Sequence, residues 1–573
     1  MRRLLLTLLL CPVLAHGGSA NLLDKLIIGY ETFNQQEFPK PSTGQLPAMG
    51  QQDIVRRQNF YSRFLQELDE VAADNLAQSQ KITLTLLKFI VHNSLQEIQF
   101  HLHENSLLAD GGFHIELAYI PGSFSFLTRE NYRNYLNLLS EIPRFMEENI
   151  ALLRLGKNTG YIQPAVIFKG YELTYENHIV TDPLSSIFYQ PFQSFPKSIP
   201  SREQEKLKVD GREAISKYVV PAYRAFARFM ADEYLPATRP TLGAYALPNG
   251  LDFYQNRIDY YTTLPLTAED VHQLGLKEVA RIRVEMDSVI DTVEFNGSYA
   301  EFLQFLRTDN RFYANTATEL IKQATYLSKM IDGKLPQLFG HLPRLPYTVE
   351  PVPDHLAPKY TGGRYIEPPP GGKVPGKYWV NTYNLKSRPL YVLNALTLHE
   401  AVPGHHLQVS LAEEAEHLPR FRKELYLSVF GEGWGLYSEW LGLEVGFYDD
   451  PYSNFGRLTY EMWRACRLVV DTGIHAFKWS RRQAIDYLAE HTALSIHEIT
   501  TEVDRYISWP GQALAYKMGE LQIKKLRTKA ESELGDSFDV RAFHDLILSE
   551  GAVTLPIMET MVDGYIAEQR KAD

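Results

Sequence analysis

A proline inside a helical segment constrains this chain more than any other single feature. Residues 391–396 read YVLNAL, an apolar helical pattern, and residues 399–406 read HEAVPGHH. Pro403 lacks a backbone N–H and clashes with the preceding helical turn, while Gly404 tolerates tight backbone geometry. The sequence therefore predicts a helix that is kinked or bulged at Pro403 and carries histidines on both sides of that point.

These histidines form a metal-site pattern. A zinc peptidase needs two histidine ligands and a carboxylate beside the bound water, and the usual ligand spacing is four, because positions i and i+4 share a helix face. Proline occupies the fourth position after His399, so a later histidine has to take that role. A bulge of two residues would supply His405, whereas a regular helix would supply His406 across about 10 Å of rise. We predict His399 and His405 as ligands of Zn²⁺, with Glu400 as the general base.

A carboxylate on a following helix is expected as the third ligand. Residues 431–439 read GEGWGLYSE, which places Glu432 between two glycines that allow a helix to approach a metal closely. Glu439 lies two turns further on the same face and is a candidate partner for a ligating histidine. We predict Glu432 as the third ligand, and the surrounding aromatic and aliphatic residues argue against a solvated surface helix.

The oxyanion of a peptidase intermediate also needs hydrogen-bond donors. A predicted helix over residues 454–479 carries a polar stripe, which either braces the fold or lines a cleft, and His475 is its candidate donor. A later segment offers Arg505 and Tyr516, although a core position is the alternative for the tyrosine. Residues 378–383 are expected to be the edge strand along which an extended peptide lies. The polar stripe consists of Arg457, Tyr460, Arg464, Arg467, Asp471 and His475.

The run HEAVPGHHLQ resembles a widespread bacterial domain family with the pattern HExxPGHH, and the similarity extends over about residues 240–570. That family is similar to the gluzincins, the zinc peptidases with a glutamate ligand. Thimet oligopeptidases in this group have an uninterrupted motif, whereas dipeptidyl peptidase III has one inserted residue and still binds zinc. The resemblance implies a large helical peptidase with a deep cleft, and a late tyrosine segment, here around Tyr516, that closes over the zinc. It also favours His405 as a ligand.

The remaining pattern predicts a mainly α protein with a small β element beside the active-site helix. Residues 377–385 form the best strand candidate, and the proline- and glycine-rich residues 342–377 are expected to form a long loop. We place a boundary near position 340, between an N-terminal helical half, 21–340, and a zinc catalytic half, 341–573. Helices are predicted over 51–103, 129–154, 201–235, 271–293, 315–332 and most of 388–532, with breaks at 403–404, 431–433, 449–451 and 510–511.

Residues 1–20 have the layout of a secretory signal peptide, with a positive start, an apolar run and a small-residue end. Leu10 before Cys11 argues against a lipoprotein signal. We therefore expect export to the periplasm or the extracellular space, with no membrane span and with Cys466 as a buried, inert thiol. The formal net charge of -11 and the lack of a long basic run argue against nucleic-acid binding.

Taken with the resemblance, these features predict a secreted zinc-dependent metallopeptidase that acts on a peptide substrate. One alternative is a zinc amidase acting on a small or cell-wall amide. Another is a non-catalytic exported binding protein with a degenerate site. The intact Glu400 argues against the second alternative, because a binding scaffold has no need of a general base.

Overall fold

The computed structural model describes residues 13–354, 356–368 and 374–572 of the chain, and these are mainly helical, as predicted. Residues 1–12 of the predicted signal peptide lie outside the described residues. Within the described chain, no helix is both long enough and apolar enough to cross a bilayer. The helices before position 340 are α1 Val13–Glu37, α2 Gln51–Asp69, α3 Gln78–Gln99, α4 Phe113–Ser123, α5 Arg129–Thr159, α6 Leu173–Glu176, α7 Ser201–Ala214, α8 Val220–Phe229, α9 Gly250–Thr262, α10 Ala268–Thr292, α11 Tyr299–Thr308, α12 Ala317–Asp332 and α13 Leu335–Leu338.

The later helices surround the predicted metal site. The predicted break at 403–404 is confirmed, because one helix ends at Glu400 and the next begins at His405. The predicted break at 431–433 is wrong, because a single helix passes through these glycines and uses them to pack closely against its neighbours. These helices are α14 Leu393–Glu400, α15 His405–Glu414, α16 Arg420–Lys423, α17 Ser428–Leu441, α18 Pro451–His475, α19 Arg481–His491, α20 Ile496–Ser508, α21 Ala515–Leu534, α22 Val540–Ser549 and α23 Leu555–Ala572.

A three-stranded sheet stands beside α14. Its strands are β1 Tyr347–Pro351, β2 Gly363–Ile366 and β3 Gly376–Val380, in the order β1-β3-β2. β1 runs parallel to β3, and β2 runs antiparallel to it. The predicted strand is thus present as β3, but its assignment as an edge strand is wrong, because it is paired on both sides.

The edge nearest the predicted site is β2 instead. It lies in the segment predicted to be a loop. This segment contains two short strands, β1 and β2, which its high proline and glycine content did not indicate. Sheet pairing with β3 satisfies their backbone groups, which composition alone does not reveal. Most of the predicted proline-rich loop core, residues 369–373, falls outside the described residues.

A large apolar core runs through the molecule. Its buried side chains come from both sides of position 340; for example, the ring of Phe302 lies 5.0 Å from that of Phe455. A smaller apolar cluster joins α1, α2 and α3 to Phe421. Cys466 is buried in the main core with a free thiol, as predicted, and burial raises its pKa.

Candidate metal centre

The helix that carries His399 ends before His405, and a second helix begins at His405. The amide of Gly404 donates to the carbonyl of Leu398 at 2.9 Å, and the Val402–Pro403 peptide is cis. A β-carbon at Gly404 would lie 1.9 Å from the carbonyl oxygen of His399, so only glycine fits here. The predicted kink is therefore a complete break, with a tight turn that carries His405 back towards His399.

Three predicted ligands come together around this turn. His399 Nε2 lies 3.3 Å from Glu432 Oε2, and His405 Nε2 lies 3.5 Å from the same oxygen. One ligand atom from each residue lies within 4.8 Å of the others, a spacing that a single metal ion can bridge. Two histidine nitrogens and one carboxylate oxygen are a donor set that suits zinc.

His406 points away from this cluster. Its Nδ1 lies 3.0 Å from the hydroxyl of Tyr365, and its Nε2 lies 3.0 Å from the carbonyl oxygen of Leu345. Burial lowers the pKa of His406 to about 4, so the ring is neutral at pH 7. Both of its nitrogens are thus engaged in bracing β2 and the segment before β1.

Glu439 orients the first ligand. Its Oε1 lies 2.8 Å from His399 Nδ1, which leaves Nε2 of His399 facing Glu432. Burial opposes the charge of His399, but the hydrogen bonds that its ring donates to Glu432 and Glu439 raise the pKa of His399 to about 10. Burial likewise opposes the charge of Glu432, but hydrogen bonds from His399 and His405 hold the pKa of Glu432 well below its ordinary value.

Gly435 allows this close packing. A β-carbon at Gly435 would lie 2.7 Å from the imidazole ring of His399, so a larger residue would displace the ring. Gly435 therefore brings the helix of Glu432 against the helix of His399. The two glycines predicted for this role pack elsewhere: Gly431 faces the ring of Tyr426, and Gly433 faces Gly519.

The predicted base, Glu400, lies at the end of α14 and is only 8% exposed. The backbone amide of Tyr365 in β2 donates to Glu400 Oε2 at 2.7 Å. One carboxylate oxygen is thus fixed by the edge strand, next to the residue that is predicted to bind the metal.

Tyr426 was not predicted, and it belongs to the site. Its hydroxyl donates to Glu432 Oε1 at 2.8 Å, so both oxygens of Glu432 are engaged. The pKa of Tyr426 is raised well above its ordinary value by burial of the hydroxyl, then by the charge of Glu432, with contributions from Tyr516 and Glu400. Sequence offered one signal, a tyrosine six positions before Glu432, but nothing there indicated that the loop would fold back.

Tyr516 and Arg505 lie together beside this cluster. Tyr516 is in the first turn of α21, and the guanidinium of Arg467 stands 4.2 Å from the centre of its ring. Arg505 donates through Nη2 to Gln512 Oε1 at 3.0 Å.

The structure does not bring His475 to the cluster. Its Nδ1 accepts the amide of Ala244 at 3.0 Å, and its Nε2 lies 2.9 Å from the carbonyl oxygen of Tyr506. Both nitrogens of this fully buried ring are engaged by the backbone, so no ring N–H is left for a substrate. The sequence pattern correctly predicted that His475 lies on this helix, but it did not show which groups would surround the ring.

The rest of the predicted polar stripe on α18 mainly braces the fold. Asp471 accepts from Tyr254 at 2.6 Å and from the amide of Gly511 at 3.1 Å. Arg467 donates to Glu502 at 2.9 Å. All six members are buried, which favours the bracing alternative over the cleft-lining one.

A second group with metal-ligand chemistry lies in the N-terminal half. Glu104 Oε1 is 2.8 Å from His101 Nδ1 and 3.6 Å from His103 Nε2. The other oxygen of Glu104 accepts from Thr159 at 3.1 Å. The three residues are close enough to share an ion, but an ordinary hydrogen bond between the His101 ring and the Glu104 carboxylate explains the same geometry.

Comparison with known proteins places the chain in a family. Residues 30–562 match the model described as "Bacterial protein of unknown function (DUF885)". A candidate lipoprotein from Colwellia psychrerythraea is similar at 25% identity and a TM-score of 0.89, over 96% of this chain and 99% of that chain. A candidate lipoprotein of unknown function from Shewanella oneidensis shares the fold at 17% identity and a TM-score of 0.65, over 95% and 98%. A search of curated proteins gave no match. Because the family model spans most of its length, the chain belongs to the bacterial family of unknown function DUF885.

Proposed function

We propose that this protein is an exported zinc metallopeptidase that hydrolyses peptide bonds. The observation that carries the proposal is the convergence of His399, His405 and Glu432, with Glu400 beside them. The same residues belong to the HExxPGHH motif, which resembles the metal motif of the gluzincins.

The donor set fits zinc in both charge and orientation. Glu432 is held ionised by its histidine neighbours, and Glu439 accepts from the far side of His399, the partner that a zinc-bound histidine usually has. Oε2 of Glu439 is buried and has no hydrogen-bond partner among the described residues, which is consistent with a carboxylate that balances a nearby positive charge. A bound Zn²⁺ would act as a Lewis acid and lower the pKa of water towards about 7.

The protein's own groups supply the proton transfers. The amide of Tyr365 fixes one oxygen of Glu400, and we assign the other oxygen to take a proton from water and pass it to the leaving amine. Tyr516 is assigned as the donor to the oxyanion of the tetrahedral intermediate. Arg505 is assigned as a second donor beside Tyr516, the guanidinium of Arg467 packs on the Tyr516 ring, and Tyr426 donates to the other oxygen of Glu432.

The edge strand β2 offers a place for an extended peptide. It is paired with β3 on one side only. On its other, outer side the backbone amide of Tyr365 donates a hydrogen bond to Glu400. An added peptide strand would place its backbone beside the base.

Export rests on the predicted signal peptide at residues 1–20. The two similar solved structures are named as candidate lipoproteins, which supports a location outside the cytoplasm. Fractionation of cells that express the full chain would show the protein in the exported fraction.

The test is metal content together with hydrolysis of a mixed peptide library, with products identified by mass spectrometry. We expect about one zinc per chain and cleavage by the zinc-loaded protein. Glu400→Gln should keep the metal, because the amide preserves size, and should lower kcat by at least about 100-fold, because the base is lost.

Three other outcomes would contradict the proposal. A protein that binds no transition metal after zinc loading would remove its basis. Zinc binding with cleavage of small or cell-wall amides, but not of peptides, would favour the amidase. Zinc binding with no turnover of either class, together with unchanged behaviour of Glu400→Gln, would favour a binding protein.

A further inference from the structure

An arginine of α18 stands beside the carboxylate that orients His399. Nη2 of Arg464 lies 3.8 Å from Oε1 of Glu439, the same oxygen that lies 2.8 Å from His399 Nδ1. Both members of this ion pair are buried, with Arg464 5% exposed and Glu439 1% exposed. Opposite charges attract more strongly in a protein interior than in water, because less solvent screens them. A continuous series of polar contacts therefore leads from α18 to the predicted metal ligand.

Neither member of this ion pair has a full set of hydrogen bonds. The separation of 3.8 Å is longer than an N–H···O hydrogen bond, and Nη1 of Arg464 reaches the carbonyl oxygen of Tyr460 only at 3.5 Å. Nε of Arg464 and Oε2 of Glu439 are buried and have no hydrogen-bond partner among the described residues. Buried polar atoms without a partner are uncommon and costly. Arg464 therefore acts on Glu439 mainly through its charge.

The same guanidinium also lies over the ring of the proposed oxyanion donor. Its central carbon is 5.8 Å from the ring centre of Tyr516, and it is held there by the rings of Trp463 at 4.2 Å and Tyr460 at 4.6 Å. A guanidinium within about 6 Å of an aromatic ring centre is attracted to the face of that ring. Arg464 thus has Glu439 on one side and the ring of Tyr516 on another.

We propose that Arg464 is a positioning residue that fixes Glu439 against His399 and keeps Tyr516 beside the metal centre. The carboxylate of Glu439 has the imidazole of His399 on one side and the guanidinium of Arg464 on the other, which limits how far it can turn. A carboxylate fixed in this way holds Nδ1 of His399 and leaves Nε2 facing Glu432. The inference rests on the proposed function and adds a residue that acts through the partner of a metal ligand.

The test is the affinity for zinc, measured by competition with a chelator, so that no peptide turnover is needed. Arg464→Met removes the charge and keeps an unbranched side chain, and we expect zinc to bind roughly 10- to 100-fold more weakly, the usual loss when a partner behind a ligand is removed. Arg464→Lys should restore part of the affinity, because the charge remains while the planar stacking is lost. With cobalt in place of zinc, the visible absorption of the site should change in Arg464→Met and return towards the original spectrum in Arg464→Lys.

A double-mutant cycle shows whether Arg464 acts through Glu439. Glu439→Gln alone should also weaken zinc binding by roughly 10- to 100-fold. Adding Arg464→Met to Glu439→Gln should then weaken it by less than about threefold more, because the carboxylate on which the arginine acts is already gone. The same loss from Arg464→Met in both backgrounds would overturn the inference.

The matched control is a second buried arginine on the same helix. Arg457 is 3% exposed, and its Nη1 donates to Glu461 Oε2 at 2.9 Å. Arg457→Met should lower the free energy of unfolding in urea but leave the zinc affinity unchanged. A loss of zinc affinity equal to that of Arg464→Met would show a general structural effect and would overturn the inference. Arg464→Gln is a second variant without the charge and is used if Arg464→Met does not fold.

Zinc affinity also separates failure of this inference from failure of the proposed function. Normal zinc affinity in Arg464→Met would overturn the inference alone, whereas an unaltered protein that binds no zinc would overturn both. Peptide cleavage by zinc-saturated Arg464→Met adds a further measurement. We expect kcat to fall more than KM rises, because Tyr516 loses a neighbour that holds it and its contact with the substrate is assigned to the intermediate.

Discussion

His405 and His406 are neighbours in the chain with opposite surroundings, and substitutions distinguish their roles. His405→Ala should abolish zinc binding, because it removes a ligand nitrogen 3.5 Å from Glu432. His406→Ala should keep zinc but lower the free energy of unfolding by about 1–3 kcal/mol, because two buried hydrogen bonds are lost. Metal analysis and urea unfolding measure both effects. Loss of zinc in His406→Ala with retention in His405→Ala would reverse the assignment.

Among the elements, the contact between α17 and α21 sets the relation between Glu432 and Tyr516. A β-carbon at Gly519 would lie 2.0 Å from the carbonyl oxygen of Val429, so the helices touch through their backbones. Gly519→Ala should destabilise the protein by about 1–3 kcal/mol and weaken zinc binding, because the helices have to separate. The control is Gly564→Ala on the exposed face of α23, which has open space around it and should stabilise by about 0.5–1 kcal/mol. Urea unfolding and zinc titration of both variants measure this, and equal effects would contradict it.

Over the whole molecule, three fully buried histidines should make the fold sensitive to acid. Burial lowers the pKa of His114, His475 and His544 to about 3, against about 6.5 in an unfolded chain. Below pH 6.5 the unfolded chain binds protons that the folded chain does not, so stability falls as the pH falls from 6.5 towards 3. Each histidine contributes about 1.4 kcal/mol per pH unit well below 6.5.

Urea unfolding at pH 7, 6 and 5 measures this slope. His544→Gln should flatten it by about one proton, because the variant no longer takes up that proton on unfolding. The exposed His497→Gln serves as the control and should leave the slope unchanged. An identical slope in His544→Gln and the unaltered protein would show that the acid sensitivity arises elsewhere.

Local patterns in the sequence determined much of this protein. Apolar spacing predicted most helices. Thr267, followed three positions later by Asp270, is a helix-start pattern, and in the structure it caps α10 by accepting from the amide of Asp270 at 3.1 Å. The pattern HExxPGHH predicted a bacterial family of unknown function, and the family match confirms it. These features could be predicted because each depends on residues a few positions apart, whose backbone preferences act locally.

Only the tertiary structure decided which side chains meet at the site and which are bound elsewhere. Tyr426 hydrogen-bonds to Glu432 because the loop before α17 folds back. His475 instead accepts a hydrogen bond from the backbone amide of Ala244, which is far away in the chain. The proline- and glycine-rich segment became the edge strand β2, because pairing with β3 outweighs its weak strand preference. Such contacts depend on how different segments pack against each other, and a local sequence pattern contains no information about which segment that will be.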